Sequence, residues 1–164
     1  MPKISAESWR EFVASRRTTR DFLPTPVPQE LIDTLLTDAM TAPSWSNTRP
    51  YLIATAQGEV RDRISKEFLA RWEQASKALG GGFLGKAKLF LTRYGLPTSD
   101  YKVNRVYPKV LQPRSARVGA ELYALLGIDR KDQKARQAQW ARNYEFFGAP
   151  VSFFVFTHSG LGEY

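Results

Sequence analysis

Two β-favouring runs, far apart in the chain, constrain the fold more than any other feature. Tyr51–Ala56 and Val151–Thr157 are apolar, have the length of a strand and end in turn-forming residues. They are the only convincing strands in the 164 residues, and a two-stranded sheet is marginally stable on its own. The sequence therefore predicts an α+β domain whose small sheet depends on packing against other elements.

Hydrophobic periodicity predicts five helices around these strands. Their expected bounds are Ser5–Ser15, Gln29–Thr41, Glu59–Leu79, Arg114–Leu126 and a last helix, capped by Asp129, that runs to about Tyr144. In the fourth helix, Val118, Leu122 and Leu125 are expected to face inward. The glycines at 80–82 are expected to end the third helix and to open a long loop, Phe83–Pro113, whose aromatic residues suggest a lid or a pocket wall.

Composition excludes several classes of chemistry. The chain has no cysteine and a single histidine, His158, which excludes disulfides, iron–sulfur clusters and the usual zinc sites. We therefore expect no metal site. The N-terminus lacks the apolar region of a signal peptide, and no run approaches the roughly 20 apolar residues of a membrane span. These features predict a cytoplasmic protein with no membrane partner.

The charge balance allows two kinds of partner. The chain carries 24 Lys and Arg residues against 16 Asp and Glu, a formal net charge of +8. Basic patches gain affinity for nucleic acid by releasing counterions, but here the basic residues are mixed with acidic ones and no nucleic-acid-binding motif accompanies them. A basic chain can equally attract a phosphorylated cofactor, so nucleic-acid binding is the less favoured alternative.

A cationic stretch, Ser15–Phe22, follows the first predicted helix. If it is extended, Arg16, Thr18 and Arg20 share one face, and Arg17, Thr19 and Asp21 share the other. Planar guanidinium groups match phosphate oxygens with two donors each, so the first face could bind a phosphate on a longer polar ligand. By itself, however, such a stretch is more often a solvated basic segment.

A second polar motif, Ala42–Tyr51, joins the second predicted helix to the first predicted strand. Prolines 43 and 50 discourage helix across it. Ser44, Ser46 and Asn47 supply hydroxyl and amide groups, and such a loop is expected to leave backbone N–H groups free. These groups suit a planar heterocycle whose edge carries both hydrogen-bond donors and acceptors, although the same residue types also make ordinary turns.

Taken together, the two motifs resemble those of the FMN-dependent nitroreductase family. That family has Arg-Arg-Ser/Thr-x-Arg, then a helix, then Ala-Pro-Ser-x-x-Asn-x-Gln-Pro-Trp. This chain has Arg-Arg-Thr-Thr-Arg at 16–20 and Ala-Pro-Ser-Trp-Ser-Asn at 42–47, and Gly148-Ala149-Pro150 resembles the family's entry to a core strand. Arg49 stands in place of the family's Gln, and Tyr51 in place of its Trp.

The resemblance implies a nitroreductase-like fold, with a central, mostly antiparallel sheet flanked by helices, and an FMN site between two subunits of a homodimer. The residues that it implicates in binding FMN are Arg16, Arg17, Thr18, Arg20, Pro43, Ser44, Trp45, Ser46 and Asn47, with Arg17 a weaker member. The implied reaction is the reduction of a nitroaromatic, quinone or related electron acceptor by NAD(P)H in a ping-pong cycle. Because the flavin carries this chemistry, no side chain is expected to act as a catalytic acid or nucleophile.

In the family, further helices and strands follow the point where this chain stops. The resemblance therefore leads us to expect that residues 1–164 form the N-terminal two-thirds of a nitroreductase-like domain, with the C-terminal part missing. Besides nucleic-acid binding, a non-catalytic remnant of the fold stays open as an alternative.

Overall fold

The computed structural model describes residues 4–80, 83–84, 87, 90–91 and 107–161. Its main elements are helix α1 (Ala6–Ser15), helix α2 (Gln29–Ala39), strand β1 (Tyr51–Gln57), helix α3 (Gly58–Gly80), helix α4 (Gln112–Leu125), helix α5 (Gln133–Ala141) and strand β2 (Val151–Thr157). Single 3-10 turns occupy Trp45–Asn47, Phe146–Gly148 and Ser159–Leu161. The mixed α and β class predicted from the sequence is confirmed.

The two strands pair with each other despite their separation in the chain. They run antiparallel, with a register that extends from Tyr51 opposite Thr157 to Gln57 opposite Val151. At the inner end of β1, Ala56 is only 3% exposed. Both predicted strands are thus confirmed, and within the described residues they form a two-stranded sheet.

Helix α3 connects this sheet to the C-terminal half of the chain. It starts directly after β1 and contacts both strands and α5. Trp72 of α3 stacks on Trp140 of α5, with ring centroids 5.9 Å apart and an interplanar angle of 14°. Stacked aromatic pairs of this kind add to the stabilisation from buried area, so the pair fixes α5 against α3.

Side-chain caps begin α1 and α5, and one predicted cap is wrong. Ser5 caps α1, because its Oγ accepts a hydrogen bond of 3.0 Å from the Ser8 N–H. Helix α5, however, is capped by Asp132, whose Oδ1 accepts from the Ala135 N–H at 2.9 Å. The Asp129 carboxylate instead accepts from the Lys131 N–H at 2.7 Å and closes the turn that precedes the helix.

The predicted loop Phe83–Pro113 is wrong at both of its ends. The described residues of its first part, Phe83, Leu84, Ala87, Phe90 and Leu91, are helical, and α4 begins one residue before Pro113. The glycines and prolines that suggested a loop therefore did not exclude helix in their surroundings. Residues 92–106, with most of the expected lid, lie outside the described residues.

Many apolar side chains lie at the surface. Trp9 and Phe12 of α1 are 56% and 69% exposed, and Val118 and Leu125 of α4, which were expected to face inward, are 59% and 84% exposed. In the described part of the chain, the buried hydrophobic residues are Ile32, Ala56 and Ala78. The amphipathic faces predicted from periodicity exist, but several of them stay exposed in the part of the chain that the structure describes.

Candidate functional site

The cationic segment after α1 is extended and exposed, as predicted. The chain leaves the helix at Arg16, with φ −56° and ψ 129°, and residues 16–22 carry exposed side chains. The Arg16 Nη1 donates to the Thr18 Oγ1 at 3.4 Å. Because a contact between positions two apart requires a shared face, the expected alternation holds for these two residues.

Arg17 points back to the helix instead of outward with Arg16. Its Nη1 donates to the Ala14 carbonyl oxygen at 2.6 Å and to the Arg16 carbonyl oxygen at 2.9 Å. The last carbonyls of a helix have no partner inside the helix, and a cation there also meets the negative end of the helix dipole. Arg17 therefore has a local structural role at the end of α1.

The next two charged residues, Arg20 and Asp21, also differ from each other in their hydrogen bonding. Among the residues that the structure describes, no hydrogen bond or ion pair engages the Arg20 guanidinium. The neighbouring Asp21 accepts a hydrogen bond of 2.7 Å from the Arg142 Nη2. The acidic residue closest in sequence is thus paired with a distant arginine, which leaves Arg16 and Arg20 available to an anion.

The second motif forms a tight turn between α2 and β1. Ser46, Asn47 and Arg49 have positive φ angles of 49°, 54° and 45°. Asn tolerates this left-handed region, whereas Ser and Arg adopt it at a cost. Backbone strain of this kind often occurs at ligand-binding sites, where the surrounding structure maintains it.

The hydrogen bonds of this turn correct one expectation. The N–H groups of Asn47 and Thr48 donate to the carbonyl oxygens of Ser44 and Trp45 at 3.0 and 3.1 Å, and the Arg49 N–H donates to the Ser44 Oγ at 2.8 Å. The loop was expected to leave backbone N–H groups free for a ligand, but the sharp reversal of the chain uses these three. Ser44 is consequently a residue that closes the turn, with its own hydroxyl hydrogen still able to donate.

The side chains at the tip of the turn face solvent. Trp45 is 89% exposed, and Ser46 and Asn47 are exposed as well. Tyr51, in contrast, lies half-buried at the start of β1. Trp45 is large and apolar, so the tip of the turn presents an apolar ring to solvent.

Within one chain, the hydrogen bonds and ion pairs of the described residues do not connect this turn to the Arg16–Arg20 segment. No described polar contact therefore holds the two motifs together within one protomer.

The donor groups fit the phosphate end of a flavin nucleotide. Two exposed guanidinium groups and the Thr18 hydroxyl supply charge and hydrogen-bond donors, and no described acidic side chain pairs with those guanidinium groups. Charge-assisted hydrogen bonds from arginine to phosphate are among the strongest polar contacts in proteins. The chemistry of this segment thus suits an anionic group on a polar ligand.

Sequence reasoning missed the contacts that hold the segment. The Arg142 side chain bonds Asp21, and the Phe22 N–H donates to the Phe147 carbonyl oxygen at 3.2 Å. The position of Asp21 on the face opposite Arg20 was a usable signal. The partner, far away in the chain, could not be identified without the fold.

Comparison with known proteins gives a consistent result. The model of the nitroreductase family matches residues 13–163. The 4-nitrobenzoate reductase of Pseudomonas putida is 32% identical over 152 residues, which are 93% of this chain and 58% of that protein. Nitroreductase NfnB of Mycolicibacterium smegmatis is 30% identical over 145 residues, which are 88% of this chain and 54% of that protein.

Solved structures agree with the sequence matches. The FMN-dependent nitroreductase NfnB of Mycobacterium smegmatis, solved in complex with NADPH, superposes with a TM-score of 0.73 at 27% identity, over 94% of this chain and 61% of that one. The FMN- and NADPH-dependent NfnB from sphigopyxis sp. strain HMH superposes with a TM-score of 0.67 at 30% identity, over 93% and 61%. The chain thus spans between about a half and two-thirds of the length of these relatives, and with a family match over nearly all of its own length it belongs to the nitroreductase family.

Proposed function

We propose that this chain provides the phosphate-binding segment and the dimer-facing turn of an FMN-dependent, NADPH-using reductase of nitroaromatic compounds. The observation that carries the proposal is the pair of exposed guanidinium groups, Arg16 and Arg20, which no described acidic residue neutralises. They lie within the part of the chain that matches the family model. The solved relatives are described as FMN-dependent and NADPH-dependent, and one curated relative is named for the reduction of 4-nitrobenzoate.

Each residue of the segment has a proposed part. Arg16 and Thr18 bind the phosphate and ribityl end of FMN, and Arg20 lies toward the pyrimidine end, where positive charge favours acceptance of electrons. Arg17 contributes less, because helix carbonyls occupy its donors. When bound, the flavin supplies hydride and electron transfer from NAD(P)H to a nitroaromatic, quinone or related acceptor in a ping-pong cycle.

The turn that follows α2 is proposed to complete the site from a second copy of the chain. Ser44, Trp45, Ser46 and Asn47, with Pro43 holding the backbone, would contact the flavin bound to the other subunit's arginines. This arrangement is supported by the lack of a described polar contact between the two motifs in one protomer. It is also supported by the exposure of Trp45 and of the α1 aromatics, because exposed apolar surface often marks an interface.

We further propose that residues 1–164 correspond to the N-terminal two-thirds of a nitroreductase-like domain. The proposal is supported by the uncovered faces of α1 and α4 and by the coverage of the relatives. Dependence on NAD(P)H favours a location in the cytoplasm, where reduced nicotinamide nucleotides are made. For the described residues, no helix is both long enough and apolar enough to cross a bilayer.

The experiment compares two proteins: the 164-residue chain, and the same chain extended by the C-terminal part of the 4-nitrobenzoate reductase. Each is titrated with FMN and then assayed for NADPH oxidation upon addition of 4-nitrobenzoate. We expect flavin binding and nitroaromatic-dependent oxidation in the extended protein. A cooperative melt of that protein without any FMN affinity would overturn the proposal and favour a non-catalytic remnant, whereas salt-sensitive DNA binding would favour the nucleic-acid alternative.

A further inference from the structure

We infer that Asp21, Phe22, Arg142 and Phe147 form a clamp that holds the Arg16–Arg20 segment in its cofactor-binding position. This inference rests on the proposed function and deepens it, because it assigns positioning residues to the flavin site. Neither Asp21 nor Arg142 belongs to the proposed set of FMN contacts. Their effect on the cofactor would be exerted through the segment that precedes Phe22.

The clamp is a closed ring of three hydrogen bonds. The Arg142 Nη2 donates to the Asp21 Oδ1 at 2.7 Å, and the Phe22 N–H donates to the Phe147 carbonyl oxygen at 3.2 Å. The ring closes because the Phe147 N–H donates to the Arg142 carbonyl oxygen at 2.9 Å. The adjacent residues Asp21 and Phe22 thus bond to Arg142 and Phe147, which are bonded to each other. Two points of attachment fix the direction of the cationic segment as well as its position.

The turn Phe146–Gly148, which supplies Phe147 to the clamp, has an unusual backbone. Phe146, Phe147 and Gly148 are consecutive and have positive φ angles of 54°, 52° and 81°. Bulky residues seldom adopt this region, and they keep it only where the surroundings over-determine it. The left-handed turn brings Gly148 so close to the segment that a Cβ built on it would lie 3.4 Å from the Phe22 carbonyl oxygen.

Helix α3 holds this turn in place. The Arg61 Nη2 donates to the Glu145 carbonyl oxygen at 2.6 Å, and the Arg61 guanidinium lies 5.5 Å from the centre of the Phe146 ring. Ser65, only 7% exposed, donates through its Oγ to the Tyr144 carbonyl oxygen at 2.8 Å. The contacts therefore run from the packed helix to the turn, and from the turn to the arginine segment.

Such a clamp matters because the segment has no regular secondary structure. Ordering a free chain costs conformational entropy, and a ligand that must order it binds more weakly. Asp21 is 85% exposed and Arg142 38% exposed at the side chain, so their pair adds little to global stability. Its effect should appear in the order of the segment and in FMN affinity.

Asp21→Asn gives a decisive test, because a purely electrostatic effect and a positioning effect predict opposite changes in FMN affinity. Removing a negative charge beside Arg16 and Arg20 should strengthen the binding of anionic FMN if only electrostatics mattered. Asparagine keeps an acceptor oxygen but loses the ion pair with Arg142, so the weakened clamp should instead lower FMN affinity, by about three- to fivefold for a surface ion pair. We also expect faster hydrogen exchange at the Phe22 amide, with no change in melting temperature.

Three further variants separate the clamp from general effects. Arg142→Gln should weaken FMN binding to a similar degree, Arg142→Lys should recover part of the loss, and Asp21→Asn combined with Arg142→Gln should be no worse than either alone. The matched control is Glu121→Gln, which removes the exposed Arg117–Glu121 pair of α4. It should leave FMN affinity and Phe22 exchange at the parental values.

The measurements are made on the 164-residue chain and on the extended protein described above. If Asp21→Asn binds FMN as tightly as the parent or more tightly, or if Phe22 exchange is unchanged, the inference is overturned. If neither parental protein binds FMN, the proposed function fails, and Phe22 exchange alone then decides the clamp. Faster exchange in Asp21→Asn than in Glu121→Gln supports it, and equal exchange refutes it.

Discussion

At the scale of single residues, the four neighbouring charges of the cationic segment have different tasks. Arg17 caps the end of α1 and Asp21 pairs with Arg142, whereas the Arg16 side chain bonds Thr18 and no described residue bonds the Arg20 guanidinium. The sequence predicted this division in part, because residues two apart share a face of an extended chain. It could not predict which carbonyls or which distant side chain would occupy the second face, since those partners depend on the tertiary fold.

Gly148 permits a test of the left-handed turn at this scale. Gly148→Ala should destabilise the protein by roughly 1–2 kcal/mol, because a Cβ is disfavoured at φ +81°. The free energy of unfolding is measured by chemical denaturation. The matched control is Gly119→Ala within α4, where nothing lies within 4 Å of the added Cβ, and there the same change should stabilise by about 0.5–1 kcal/mol. Equal effects of the two substitutions would contradict the account of the turn.

At the scale of elements, the sequence predicted which helices and strands exist better than it predicted the residues that cap the helices and the exposure of their side chains. Periodicity located α1, α2, α3 and both strands closely, because their apolar patterns are regular. The start of α5 was misplaced because Asp129 and Asp132 are both capable caps, and only the fold selects one of them. The exposure of Val118 could not be foreseen, since a helical pattern defines an apolar face without showing what covers it.

The turn between α2 and β1 gives a prediction for an element. Ser44→Ala removes the acceptor of the Arg49 N–H, and the loss of one such hydrogen bond should cost about 0.5–1.5 kcal/mol in the free energy of unfolding. Ser46→Ala is the matched control, because no side-chain hydrogen bond is described for that hydroxyl. If Ser46→Ala destabilises as much as Ser44→Ala, the Ser44 Oγ does not close the turn.

At the scale of the whole molecule, the chain has the fold of its relatives over its own length and much uncovered apolar surface. The two-stranded sheet and the exposed faces of α1 and α4 are typical of a domain that requires further contacts, from a second copy or from additional chain. The family resemblance was readable from two short motifs. The extent of uncovered surface could not be read from the sequence, because burial is a property of the assembled fold.

The first whole-molecule prediction concerns stability. We expect the extended protein to melt cooperatively at a higher temperature than the 164-residue chain and to form a dimer with flavin bound. The physical reason is burial, since covering apolar surface stabilises by roughly 25 cal/mol per Å². Calorimetry and light scattering test this expectation. A 164-residue chain that alone gives a cooperative melt, a stoichiometric flavin and a monomer would contradict it.

The central claim is that Arg16, on the face that it shares with Thr18, binds the phosphate of FMN. The most direct test titrates the extended protein and its Arg16→Ala variant with FMN and with riboflavin, which lacks the phosphate. Arg16→Ala should weaken FMN binding about tenfold or more, as expected for a charge-assisted contact. It should weaken riboflavin binding much less, because riboflavin keeps the ribityl chain but lacks the phosphate. Arg17→Ala, next to it in the chain, should affect FMN much less. Equal losses for FMN and riboflavin, or parental FMN affinity in Arg16→Ala, would contradict the claim.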